Sequence, residues 1–175
     1  MNAPEFSRPV RLDQVPRIAG EQQHIVADEA ERAALIRRFK LAALERLEAD
    51  YVLTSENGAL VARGTARASL AQPCVATAEP VAEEIDTPFT LRFVRTADAE
   101  AEEEVELSDE DCDTLFFDGE SIDMGEAVAE TVALALTPYP RSPDADRYLR
   151  EIGVLSEEEA SPFSALLALK RDGKQ

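Results

Sequence analysis

Tryptophan is absent from this 175-residue chain, aromatic residues make up only 6% of it, and histidine occurs once, as His24. A core made from such a composition must rest on alanine, leucine and valine. A Ser-His-Asp arrangement would have to use His24, yet no Gly-x-Ser-x-Gly turn marks a serine as an activated nucleophile, so a surface histidine is expected. Gly119 and Gly125 stand alone, outside any Gly-x-x-x-x-Gly-Lys loop, which leaves no cradle for phosphates. The two cysteines, Cys74 and Cys112, allow at most one disulfide and give no scaffold. Thr77 stands where a Cys-x-x-Cys partner of Cys74 would lie, so zinc lacks its paired thiolates. No Asp-x-Asp-x-Asp-Gly loop with a closing glutamate supplies a calcium site. Residues 1–18 have no apolar centre, and no secretory signal is expected. No apolar run approaches the roughly 18 residues of a membrane helix. These absences lead to the expectation of a cytoplasmic, non-enzymatic protein without cofactor, metal or membrane attachment.

What is present is a globular share of apolar residues, 45%, too high for a fully disordered chain. The net charge of −18 is unevenly placed. Residues 1–95 hold 12 basic and 14 acidic side chains, a net of −2, and residues 96–175 hold 6 and 22, a net of −16. The C-terminal half repels phosphate backbones and attracts basic proteins or cations.

Phe6, Val10 and Leu12 share one parity and read as a short strand, with Pro9 suggesting an edge. Asp28 and Glu31 form a capping box, followed by Leu35, Phe39 and Ala42 on one helical face. From Leu44 the period falls to two: Leu47, Ala49, Tyr51 and Leu53 alternate with Glu48, Asp50 and Val52. Asn57-Gly58 then signals a tight hairpin. From Leu60 to Leu70, Arg63, Thr65, Arg67 and Ser69 oppose the small side chains of Ala62, Gly64, Ala66 and Ala68, a face against which something bulky, such as a helix, is expected to pack closely. Ile85, Thr87, Phe89, Leu91 and Phe93 make a third alternating run. Residues 98–113 are almost entirely acidic, and a mobile insertion is expected there. A short strand over 114–117, turned by Asp118-Gly119, leads to a second capping box at Asp123 and Glu126 and a helix stopped by Pro138 and Pro140. Residues 141–150 read as a polar connector. Ser156, Glu159 and Pro162 introduce a short helix through Leu169.

The pattern predicts an α+β fold, an antiparallel meander over about 44–95, open or closed into a barrel, packed with a few short helices. Residues 1–155 are expected to form one domain and 156–175 a short helix and tail.

Two stretches carry a resemblance. Gly64 to Val81, with Cys74, Thr77, Glu79 and Pro80, resembles the strand of the YceD family that runs into a Cys-x-x-Cys/Thr-x-Glu-Pro turn. Ile122, Asp123 and Glu126 through Pro138 resemble that family's Ile-Asp-Leu-x-Glu helix ending in Leu-x-Leu-x-Pro. The acidic segment and the closing stretch from Ser161 to Leu166 are similar to alphaproteobacterial members. The resemblance is loose over about 5–170 and specific at Gly64, Cys74, Thr77, Glu79, Pro80, Ile122, Asp123, Glu126 and Pro138. It implies accumulation of large-subunit ribosomal RNA through ribosome assembly, with no catalytic activity. Many relatives have a second cysteine, and some have further cysteines near Pro140 to Pro143. This chain has Thr77 and Ser142, so a metal role in those relatives does not carry over.

Charge favours a ribosomal protein or large-subunit assembly intermediate as partner, held by Glu102, Glu103, Glu104, Glu106, Asp109, Glu110 and Asp111. The alternative is direct RNA binding through an arginine patch on the sheet, with Arg63, Arg67, Arg92 and Arg95 beside Arg37, Arg38 and Lys40. On the blander reading these arginines form ordinary ion pairs with Glu48, Asp50 or Glu83 on a solvated face.

Overall fold

The computed structural model describes residues 5–56, 58–96 and 113–154. The chain divides into two compact units, Met1–Gln72 with Ala82–Pro138, and Pro73–Val81 with Tyr139–Gln175. The described elements are β1 (Pro9–Arg11), α1 (Val15–Ile18), β2 (Gln22–Val26), α2 (Glu29–Phe39), β3 (Ala43–Glu56), β4 (Ala59–Pro73), β5 (Pro80–Arg95), β6 (Asp113–Phe117), β7 (Ser121–Asp123), α3 (Met124–Ala135) and α4 (Ala145–Glu151). Strands β2 to β6 form one five-stranded sheet in chain order, and β1 pairs with β7 in a separate two-stranded sheet. The architecture is α+β.

The long strands follow from alternation. Leu47, Ala49, Tyr51 and Leu53 of β3 are buried, and so are Ala62, Ala66 and Ala68 of β4. The two strands pair antiparallel from Glu56↔Ala59 to Ala43↔Ala71. Gly58, with φ +81°, supplies the left-handed backbone of their turn. The small face of β4 lies in one core cluster with Leu35 of α2 and with Met124 and Val128 of α3. Gly64 has a more local reason. A Cβ there would run into the Asp50 carbonyl and approach Tyr51 Cβ to 2.7 Å, on the strand it pairs with.

The opposite face of the sheet is a lattice of ion pairs. Arg67 bridges Asp50 at 2.7 Å and Asp86 at 3.6 Å, Arg63 pairs with Glu56 at 2.5 Å, and Arg46 reaches Glu48 at 3.5 Å and Glu84 at 3.6 Å. His24 lies 2.8 Å from the same Asp50. Arg67 and His24 together hold the Asp50 carboxyl below its ordinary value. Glu83, a candidate arginine partner, instead accepts from Gln72 at 2.7 Å and from the backbone and hydroxyl of Thr137 at 2.9 and 2.6 Å.

Helix α2 carries the expected box: Asp28 accepts from the Glu31 N–H and Glu31 from the Asp28 N–H. Several features depart from the sequence reading. Among the described residues the sheet does not close into a barrel: its order runs from β2 to β6 with no pairing of β2 to β6, and β6 joins β5 in parallel. Strand direction is set by where the chain returns, which alternation does not encode. Asp113 opens β6, so the last residue of the acidic run is strand, while residues 98–112 lie outside the described residues. Asp123 accepts from the Gly125 and Glu126 N–H groups, but the second box stays half-made. The Glu126 side chain turns to Arg38 at 2.6 Å, a charged partner that outcompetes a backbone N–H. The polar connector contains α4, where Arg147 pairs with Asp144 at 3.0 Å and Glu151 at 3.9 Å along one helical turn. The helix introduced by Ser156 lies outside the described residues.

Gly64→Ala is expected to destabilise the protein by about 1–3 kcal/mol, the range for forcing an extra group into a filled site, measured as a fall in urea midpoint at unchanged slope. Stability equal to that of the natural chain would show that β3 yields to the added methyl.

Candidate functional site

The first family-like stretch makes a closed double turn in the smaller unit. The Cys74 N–H donates to the Glu79 carbonyl at 2.7 Å, and the Ala78 N–H to the Cys74 carbonyl at 2.9 Å, closing the turn that Ala78 enters with φ +60°. A second segment lies against it, where the Val75 N–H donates to the Pro140 carbonyl at 2.9 Å and Tyr139 takes φ +58°. Non-glycine residues rarely sit in this left-handed region, and Ala78 and Tyr139 both do.

Cys74 is 3% exposed. Its Sγ accepts from the Ser142 N–H at 3.2 Å, and the Thr77 hydroxyl lies 3.2 Å from that of Ser142 and donates to Glu79 at 3.1 Å. Burial pushes the thiol pKa up. The Thr77 side chain and the N–H groups of Ser142, Thr77 and Ala76 outweigh it and hold the thiol at about 6. The arrangement stabilises a thiolate. It does not match a zinc donor set, which needs several thiolates or imidazoles: the groups that reach Sγ are the Ser142 N–H and the Thr77 side chain. Among the described residues no three His, Cys, Asp or Glu side chains are grouped to hold a metal ion.

The second family-like stretch belongs to the larger unit. Asp123 Oδ1 accepts from the Arg8 N–H at 2.8 Å, the Gly125 N–H at 3.0 Å and the Glu126 N–H at 3.2 Å, while Oδ2 accepts from the Ser7 hydroxyl at 2.6 Å. One carboxylate therefore caps α3 and anchors the N-terminal segment. Ile122 is buried in β7, opposite Val10 of β1. Arg8 grips both oxygens of Glu31 at 2.6 and 2.9 Å, donates to the Val26 carbonyl at 2.8 Å and stacks 4.7 Å over Phe6. Its hydrogen bond holds the Glu31 carboxyl below the ordinary value, against the opposing effect of burial.

The nine motif positions thus fall into two groups. Cys74, Thr77, Glu79 and Pro80 lie at the double turn, and Gly64, Ile122, Asp123, Glu126 and Pro138 lie in the larger unit. The seven carboxylates from Glu102 to Asp111 lie outside the described residues. Sequence reasoning passed over Ser142 as a partner of Cys74. The signal for it was its place after Pro140, where some relatives have cysteines. Arg8 gave no signal, because its carboxylate is 23 residues away.

In a Cys112→Ser background, thiolate absorbance is expected to titrate with a midpoint of about 6. The folded thiol pKa lies below the unfolded value of about 8.5. Stability from this group is therefore present above the unfolded value and is lost as pH falls through the folded one. A midpoint near the unfolded value would contradict the hydrogen-bonded turn. Elemental analysis of protein purified without added metal is expected to find no stoichiometric zinc, and one zinc per chain would overturn the donor-set argument.

A family model described as Large ribosomal RNA subunit accumulation protein YceD matches residues 62–170. No curated protein and no solved structure gives a significant match. The matched stretch covers more than half of the 175 residues, and it holds all nine motif positions, from Gly64 in β4 to Pro138 beyond α3. The chain belongs to the YceD family of large ribosomal RNA subunit accumulation proteins.

Proposed function

We propose that this chain is a non-enzymatic, cytoplasmic factor in large-subunit assembly that supports ribosomal RNA accumulation by holding a basic ribosomal protein or an assembly intermediate containing one. The observation that carries this reading is the disposition of charge. Residues 96–175 have a net charge of −16, while Arg63 and Arg67, the sheet arginines best placed for RNA, are engaged by Glu56, Asp50 and Asp86. Releasing those arginines to phosphate would leave their carboxylates facing the RNA. Ribosomal proteins are very basic, and a strong negative surface steers such partners and shields them from non-specific RNA contacts. The described helices include none long and apolar enough to cross a membrane.

Direct RNA contact remains the competing reading, and it rests on Arg92 and Arg95, for which no ion pair is made among the described residues. The two readings differ in what the acidic segment does. Neutralising Glu102, Glu103, Glu104, Glu106, Asp109, Glu110 and Asp111 is expected to weaken co-sedimentation with large-subunit precursors while the circular dichroism stays unchanged. Association of the natural chain is expected to fall with added salt, because exposed charges are screened over about 8 Å at physiological ionic strength. Unchanged association at low and high salt would reduce the acidic segment to a solubilising linker and move the contact to the arginines.

A further inference from the structure

The core face of the larger unit turns polar at one end of the sheet. Leu53 of β3 and Phe93 of β5 are buried, and the next residues of the same parity, Ser55 and Arg95, are exposed. Leu60 stands opposite Ser55 and Phe117 opposite Arg95, and both pack against the core from its edge. Helix α1, which lies over this end, has four residues and buries only Val15. A cleft of about 360 Å³ lies between α1 and the strand ends, walled by Leu12, Val15, Leu60, Phe93 and Phe117 and reached by Arg95. That volume falls in the range of small-molecule sites, roughly 300–1,000 Å³.

Backbone hydrogen bonds fix both ends of the segment that roofs the cleft. The Leu12 N–H donates to the Glu120 carbonyl at 2.9 Å, and the Gly20 N–H to the Leu53 carbonyl at 2.9 Å. A ligand would enter a preformed site and avoid the cost of ordering its walls.

Charge at the mouth is unequally used. Arg11 binds Asp13 through two hydrogen bonds at 3.1 and 3.2 Å and reaches Glu120 at 3.7 Å. Arg95 lines the same recess as these three residues, and its side chain makes no ion pair or hydrogen bond among the described residues. A guanidinium fork is left over beside an apolar cleft.

We infer that this cleft binds an apolar monocarboxylate, whose tail lies along Leu60 and Phe117 and whose head meets Arg95. The guanidinium matches a carboxylate with two parallel N–H donors for its two oxygens. A phosphate monoester, with close to two charges, would be pressed against Asp13 and Glu120, and an ammonium would meet Arg95 itself. Burial of the tail supplies affinity, and the head fixes orientation. Neither the acidic segment nor a basic partner is needed for this binding.

The test is an amide chemical-shift titration of the isotope-labelled full chain with octanoate, below its micelle concentration. Saturable shifts are expected at Ala19, Ser55, Gly58 and Phe117. Acetate, which lacks the tail, and octylammonium, which reverses the head charge, are expected to leave these amides in place. Arg95→Gln, at an exposed position, is expected to weaken octanoate about tenfold, the loss of a hydrogen-bonded partner of a charged group. Ala19→Glu, which builds a carboxylate into the exposed rim, is expected to abolish binding with unchanged circular dichroism. Absence of saturable shifts at the cleft overturns the site, and so does natural affinity in both variants. Octanol binding as tightly as octanoate removes the role of Arg95, and octyl phosphate binding more tightly removes the carboxylate; either overturns the assignment. Displacement of octanoate from the cleft by a single-stranded oligouridine overturns it in favour of RNA.

Discussion

The Asp123 carboxylate fixes the corner on which the rest of the larger unit depends. Its four hydrogen bonds cap α3 and hold the backbone of Arg8 and the hydroxyl of Ser7. From that corner the N-terminal segment reaches α2 through Arg8 and Glu31, and Glu31 also closes the α2 capping box. Arg38 of α2 returns to Glu126 on α3. The close approach depends on Gly125, where a Cβ would meet the Phe6 carbonyl oxygen at 2.5 Å. Phe6 itself is fully buried beside Met124 in the core. The same corner supplies Ile122, Glu126 and Ala127 to a groove beside β6.

Charge is organised differently on the two sides of this unit. On the open face of the sheet, arginines and carboxylates alternate and satisfy one another, an arrangement worth little stability per pair that leaves a nearly neutral surface. Among the described residues around α3, Glu5, Glu126 and Glu130 share Arg38. Sequence adds a large acidic excess beyond residue 95. Under the proposed function, a surface that attracts cations rather than phosphate would serve ribosomal RNA accumulation through a basic protein rather than through direct RNA contact.

Much of this architecture was legible in the sequence. Leu47 to Leu53, Ala62 to Ala68 and Phe89 to Phe93 alternate cleanly because each strand has one buried face, and Asp28 and Glu31 announced α2. The elements that escaped are short or polar. Strand β2 reads Gln-Gln-His-Ile-Val, with one buried residue, Ile25, and β7 has only three residues. Helix α4 buries only Ala145. The direction of β6 is a long-range property, and so is the choice of Glu126 between its cap and Arg38, a residue 88 positions away. At the candidate sites the motif positions stood out, but their partners did not. The side chain that meets Thr77 is Ser142, 65 residues on, and only its place among the relatives' cysteines pointed to it.

The claim at the centre of this account is that the chain meets a basic protein rather than RNA. The most direct measurement places a photo-reactive amino acid at position 107, within the acidic segment, irradiates growing cells, and sorts the adducts into protein and RNA. The account predicts adducts to a basic ribosomal protein, lost when the seven carboxylates from Glu102 to Asp111 are neutralised. Adducts to ribosomal RNA in place of protein would contradict it.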